Sequence, residues 1–265
     1  MRATVHGSAD HPAIAMLSTF DPCLDGYAAG VRQLVEVASR RGMTPVAVLL
    51  DPPPAVFLNA PGTWPVYSDV VQRVAWLRAL GATVVAVHFD ATDLAFAAPD
   101  FFDMLAPHVD LREFWLKYRQ TVGSGPRGSG VGTRLEAARR GIKVVGLPAD
   151  ALGAEAAAVR RLLHAGAPGK AARIVGRGAV LVRPEQARLR LAWGAGRYEF
   201  AICGSATPSL PLRGPVTLDL HPAVGGGVEV QWPDPHVRYL LALRGPGDAI
   251  PDAIGVGAAA SGVSS

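Results

Sequence analysis

Two short apolar runs in the first fifty residues, each ending in Asp-Pro, constrain the fold of this chain more than any other feature. Ala13 to Phe20 ends at Asp21-Pro22, and Thr44 to Leu50 ends at Asp51-Pro52. Between them, Ala28 to Arg41 places Val31, Leu34, Val35 and Ala38 on one face at helical spacing. Gly42 stands just past the Arg40-Arg41 end as a stop signal. A strand, a helix and a second strand of this kind form a βαβ unit, and such units build a parallel sheet covered by helices on both faces.

The alternation continues. Ser68 is placed to cap a helix carrying Val70, Val71, Val74, Leu77 and Leu80, Gly81 closes it, and Val84 to Phe89 is a third strand. Pro99 sits where a helix with Phe101, Phe102 and Leu105 begins, and Phe114 to Leu116 is a fourth strand. A glycine-rich stretch, Gly123 to Gly132, precedes the helical Leu135 to Arg140 and a fifth strand at Lys143 to Leu147. Glu155 to His164 and Lys170 to Val175 read as a closing helical pair.

After Gly178 the texture changes to short alternating segments: Arg188–Trp193, Tyr198–Cys203, Val216–Leu220, Val228–Trp232 and Arg238–Leu243. Gly194-Ala195-Gly196 and Gly225-Gly226-Gly227 stand between them, where hairpin turns need positive φ. The expectation is a Rossmann-like α/β domain over residues 1–178, a small antiparallel barrel or sandwich over 179–245, and a flexible Gly/Ala/Ser tail over 246–265.

With 265 residues, of which 49% are hydrophobic, the chain can fill a substantial core. Its uninterrupted apolar runs fall well short of the roughly 20 residues that cross a bilayer. Met1 to Pro12 lacks the basic and then apolar order of a signal peptide, so a cytoplasmic protein without membrane contact is expected. Cys23 and Cys203 are too few and too far apart for a disulfide scaffold or a zinc cluster and read as free thiols. Lys117, Lys143 and Lys170 are the only lysines, so the net charge of +4 rests on arginine, which suits phosphate. The basic residues are scattered among acidic ones without aromatic interleaving, which argues against a nucleic-acid surface.

Ligands of open parallel sheets bind at the carboxyl ends of the strands. Here those ends lead into Ser18-Thr19-Phe20-Asp21-Pro22-Cys23-Leu24-Asp25-Gly26-Tyr27 and into Leu50-Asp51-Pro52-Pro53-Pro54, with Phe57 beyond. The pair of loops resembles the bacterial FAD synthetase family, the bifunctional riboflavin kinases and FMN adenylyltransferases. There Gly-x-Phe-Asp-Gly-x-His-x-Gly-His follows the first strand and Phe-Asp-Pro-His-Pro the second. The resemblance extends by element order over roughly 165 residues. It takes in Val74–Gly81, Phe89-Asp90 with Pro99–Leu105, the Gly123–Gly130 loop, and Glu155–Gly166 with Ala171–Gly176.

This resemblance implies a fold that binds ATP with Mg, FMN or FAD and, in the family, joins FMN to the adenylyl group of ATP while two loop histidines steady the phosphates. It places Phe20, Asp21, Asp25, Gly26, Tyr27 and Arg160 on the nucleotide side, and Asp51, Pro52, Gly123 and Arg127 on the flavin side. Leu24 and Tyr27 stand where the family has its histidines, and Glu155-Ala156-Ala157-Ala158 where it has Ser-Ser-Thr, while Arg160 keeps the arginine. Lys117, Arg119 and Gln120 replace the flavin loop's glycine, acidic and aromatic residues. The riboflavin kinase Pro-Thr-Ala-Asn signature has no counterpart, since Thr207-Pro208-Ser209 lacks the asparagine and the glycine-rich lead.

The expectation is therefore a pseudoenzyme with a nucleotide or flavin pocket and lost adenylyl transfer. The alternatives are a divergent nucleotidyltransferase working through Tyr27, Asp21, Asp25 and Arg160, and an assembly protein that contacts a protein partner. Asp21 and Asp51 read either as phosphate or magnesium contacts or as turn residues. Cys23 reads as a small buried residue rather than a nucleophile. His88 reads as a core histidine, and Trp193 and Trp232 as filling of the β unit.

Overall fold

The structure, a computed structural model, describes residues 1–7, 11–55, 67–68, 70–90, 93, 95–117, 120–123, 129–147, 154–176, 178–182, 188–191, 193–203, 211–223, 228–231 and 239–249. The first unit contains β1 (Arg2–His6), β2 (Ala13–Ser18), α1 (Asp25–Arg40), β3 (Thr44–Asp51), α2 (Val70–Ala79), β4 (Thr83–His88), α3 (Ala98–Leu105), β5 (Leu111–Lys117), α4 (Gly130–Arg139) and β6 (Lys143–Leu147). Its sheet order is β1-β4-β3-β2-β5-β6. The five strands from β4 to β6 are parallel, whereas β1 lies antiparallel along the outer edge of β4.

The apolar runs become strands because both faces of the sheet are covered. All six residues of β2 are buried. Its odd-numbered residues Ala13, Ala15 and Leu17 join Val46, Val48, Val85 and Val87 in one core, which α3 and α4 close with Phe101, Phe102 and Ala137. Its even-numbered Ile14 and Met16 join Ala47, Leu49 and Val84 in the other core, under Val31, Leu34 and Ala38 of α1 and Leu77 of α2. This is the Rossmann-like sheet that the alternation predicts, with one added edge strand. β1 escapes the sequence reading because its residues are only half-buried or exposed and the stretch lacks an apolar run.

After β6 come the helical pair α5 (Ala154–His164) and α6 (Pro168–Val175), and the second unit holds β7 (Val180–Val182), β8 (Arg188–Leu191), β9 (Gly196–Cys203), β10 (Pro211–Pro222), β11 (Val228–Gln231) and β12 (Tyr239–Arg244). The strands are antiparallel in the order β7-β12-β9-β10-β11-β8. Trp193, Tyr198, Phe200, Leu220, Val230 and Leu240 are buried in it. The Trp193 and Phe200 rings stack at 6.4 Å and 7°. Trp193 thus fills the β unit as expected, while Trp232 lies outside the described residues.

Two expectations change. Gly194-Ala195-Gly196 does not turn a hairpin, because β8 pairs with β11 and β9 with β10 and β12. Small residues are needed there for close approach instead. A Cβ on Gly194 would lie 3.0 Å from the His164 carbonyl, and one on Gly196 would lie 2.8 Å from the Pro246 ring. The turn at Gly225–Gly227 lies outside the described residues. The stretch read as a flexible tail begins with a 3₁₀ turn, Pro246–Ala249, that is tied down. Asp248 accepts from the amides of Gly169 at 3.0 Å, Lys170 at 2.7 Å and Gly245 at 2.8 Å, joining α6 to the end of β12. Residues 250–265 lie outside the described residues.

Candidate functional site at the carboxyl edge of the sheet

In the order β4-β3-β2-β5-β6, successive crossovers run one way from β2 and the other way from β5, so the direction of winding reverses between these two strands. Such a reversal opens the crevice in which open α/β sheets bind ligands. The loop that leaves β2 there is held firmly from within. Phe20, fully buried, adopts φ 49°, a left-handed conformation that costs a side-chain-bearing residue of order 1–2 kcal/mol. Its ring packs 5.6 Å from that of Tyr27. The peptide bonds Asp21-Pro22 and Asp51-Pro52 are cis.

Asp21 and Asp51, the two carboxylates expected to face a ligand, are both committed to the protein. Asp21 is 2% exposed. Its Oδ1 accepts from the Ser68 amide at 2.7 Å and the Ser68 hydroxyl at 3.0 Å, and its Oδ2 accepts from the Tyr67 amide at 3.0 Å. It therefore pins the segment that enters α2. Asp51 is bonded by the guanidinium of Arg73, which also donates to the Thr19 carbonyl at 2.9 Å and the Leu50 carbonyl at 3.2 Å. Arg73 thereby clamps the ends of β2 and β3 together, and it has no exposed surface. Sequence reasoning misses it, although an arginine on the apolar face between Val70 and Leu77 is itself a signal.

On the β5 side, Lys117 Nζ donates to the Tyr27 hydroxyl at 2.8 Å and stands 4.6 Å from the ring centroid. Gln120 crosses the reversal point: its Nε2 donates to the Leu17 carbonyl at 3.3 Å and its Oε1 accepts from the Lys117 amide at 3.0 Å. Leu24, at the first histidine position, is buried in the core under α1. Asp25 is exposed and Gly26 half-buried in the first turn of that helix. Cys23 is a buried free thiol with its sulfur 3.8 Å from the Ser68 hydroxyl, a structural placement.

Pro52 is half-buried after β3. Gly123, at φ 91°, lies against the backbone of Phe96 and Ala97, where a Cβ would come within 2.6 Å of the Phe96 carbonyl. Arg127 lies outside the described residues. Arg160 is half-buried on α5, the helix whose Ala156, Val159 and Leu163 are buried. His88 is exposed rather than a core histidine, because it ends β4 after the buried run Val84–Val87. Among the described residues, no group of three His, Cys, Asp or Glu is placed to hold a metal ion. No helix among them is long and apolar enough to cross a membrane.

No family model matches the chain, and no curated protein matches it. Among solved structures, the chain is similar to a macrolide-efflux protein from Streptococcus pneumoniae. The TM-score is 0.54 at 14% identity, over 88% of this chain and 85% of that one. At that identity the likeness concerns the fold, and it spans both units.

Proposed function

We propose that this protein is a non-catalytic, FAD-synthetase-like protein that binds a phosphate-bearing nucleotide or flavin at the carboxyl edge of β2 and β5 without transferring an adenylyl group. The observation that carries this reading is the Lys117–Tyr27 pair at the reversal point of the sheet. An ammonium group has three N–H donors, and one points to Tyr27, which leaves two to meet an anion. The adjoining Phe20 and Tyr27 rings are fixed by burial, so the lysine is presented from a rigid wall.

Three features weigh against adenylyl transfer. Leu24 offers no donor where the resemblance calls for a histidine. The Asp21 oxygens are occupied by Tyr67 and Ser68, and Ala156 and its neighbours offer no hydroxyls on α5. Each lost transition-state donor raises a barrier by about 2.7–4 kcal/mol, so several together leave little rate above background. Calorimetry of the full chain against Mg-ATP, FMN and FAD, with an assay for FAD and pyrophosphate, tests this. Saturable binding of one of them, weakened in Lys117→Met, with no FAD formed, is expected. FAD formation would make the protein a divergent nucleotidyltransferase, and no binding of any of the three would turn the search to protein partners.

A further inference from the structure

A cavity of about 710 Å³ opens between α6 and the β9–β12 pair, away from the carboxyl edge of the first sheet. Small-molecule sites occupy roughly 300–1,000 Å³, so it has room for a metabolite. Ala172, Leu241 and Ala242 give it an apolar floor. A Cβ on Gly178, in the link between α6 and β7, would lie 2.5 Å from Leu241 Cδ1 and 3.2 Å from the Ala242 carbonyl, so that link runs close against β12.

The charged groups on its walls are Arg173 of α6, Arg197 and Glu199 of β9, Arg244 of β12, and Asp248. Asp248 is already bonded to the amides of Gly169, Lys170 and Gly245. Arg197 is held by Asp219 at 3.1 Å. Arg173 and Arg244 form no ion pair among the described residues, and Glu199, the register neighbour of Arg244, is the one remaining carboxylate on the wall. Arg173 and Arg244, with no ion pair among the described residues, stand beside Arg197, so the wall offers guanidinium donors to an anion, and its three arginines outnumber its two carboxylates by one. Each guanidinium presents a donor fork matched to phosphate oxygens.

We propose that this cavity binds a phosphorylated small molecule carrying at least two negative charges, with Arg173 and Arg244 on its phosphates and its apolar portion on Leu241 and Ala242. Inorganic pyrophosphate is the probe, titrated into the full chain by calorimetry at low ionic strength. Saturable binding is expected, weakened about tenfold or more in R173A/R244A and partly restored in R173K/R244K, which keeps the charge without the fork. In Lys117→Met, which removes the anion contact proposed at the carboxyl edge, the binding event that depends on Arg173 and Arg244 should persist, which separates the cavity from that edge. In the unsubstituted chain, amide resonances of Gly178 and Leu243 should shift on adding pyrophosphate. This second readout does not depend on how the variants fold. Equal binding by R173A/R244A, loss of binding in Lys117→Met, tighter binding of citrate than of pyrophosphate, or unmoved resonances would each overturn the proposal.

Discussion

Arg73 is the residue on which the carboxyl edge of the sheet most depends. Its guanidinium is withdrawn wholly from water and bonded to Asp51 and to the Thr19 and Leu50 carbonyls. Removing one partner of such a buried pair leaves the other charge uncompensated, which typically costs 3–5 kcal/mol, far more than the pair gains over an apolar replacement of both. Because Asp51 is partly exposed at 23% of its side chain, the lower end applies, so Arg73→Met should cost about 3 kcal/mol. Urea unfolding would show it as a lower midpoint at unchanged slope. A loss below about 1 kcal/mol would mean that the strand ends are held by other contacts. The sequence marks Asp21 and Asp51 as special, and both are special, but it cannot show what they face. Their partners Ser68 and Arg73 arrive from the entry to α2 and from its buried side, and that convergence exists only after folding.

At the scale of elements, β5 carries a buried carboxylate in the midst of an apolar strand. Glu113 Oε1 accepts from Trp115 Nε1 at 2.7 Å, while Oε2 meets Arg41 at 2.9 Å and Lys143 at 3.3 Å, joining β5 to the end of α1 and to β6. Burial alone would raise its pKa, but the hydrogen bonds from Trp115, Arg41 and Lys143 outweigh it and hold the carboxyl below its ordinary 4.5. The group therefore contributes stability above the unfolded value, and that contribution fades as pH falls through the lower folded value. Glu113→Gln should be less stable than the parent at neutral pH and should lose less stability on acidification below 4.5. Unfolding free energies measured across that range would check it, and parallel pH profiles would remove Glu113 from the account. The strands and helices around it are legible in the sequence because buried parallel strands are unbroken apolar runs and the helices keep one apolar stripe. The pairing of the C-terminal strands is not legible. β8 finds β11 and β9 finds β12 across long separations, and local turn residues carry no record of that choice.

Over the whole molecule, one contiguous buried cluster runs from Ile14 and Met16 in the first sheet through Trp115 and the α5 residues Val159 and Leu163 to Trp193, Phe200 and Leu240 in the second. A core shared in this way couples the two units, because opening one exposes apolar surface that the other helps to bury. The helical pair α5–α6 lies on that path and is fastened to the second unit through Asp248. Asp248→Ala removes a carboxylate that satisfies three amides. Bonds of this charge-assisted kind contribute about 1.5–3 kcal/mol net, and partial exposure of the site places the cost toward the lower figure. If the shared core makes folding cooperative, the loss must appear far from the substitution. Hydrogen exchange of the slowest amides in β2 and β3 should accelerate by the same factor as that of β9 and β12, since both groups then exchange through one global opening. Acceleration confined to β9 and β12 would instead show that the second unit opens alone, leaving the first sheet and its Lys117–Tyr27 edge intact.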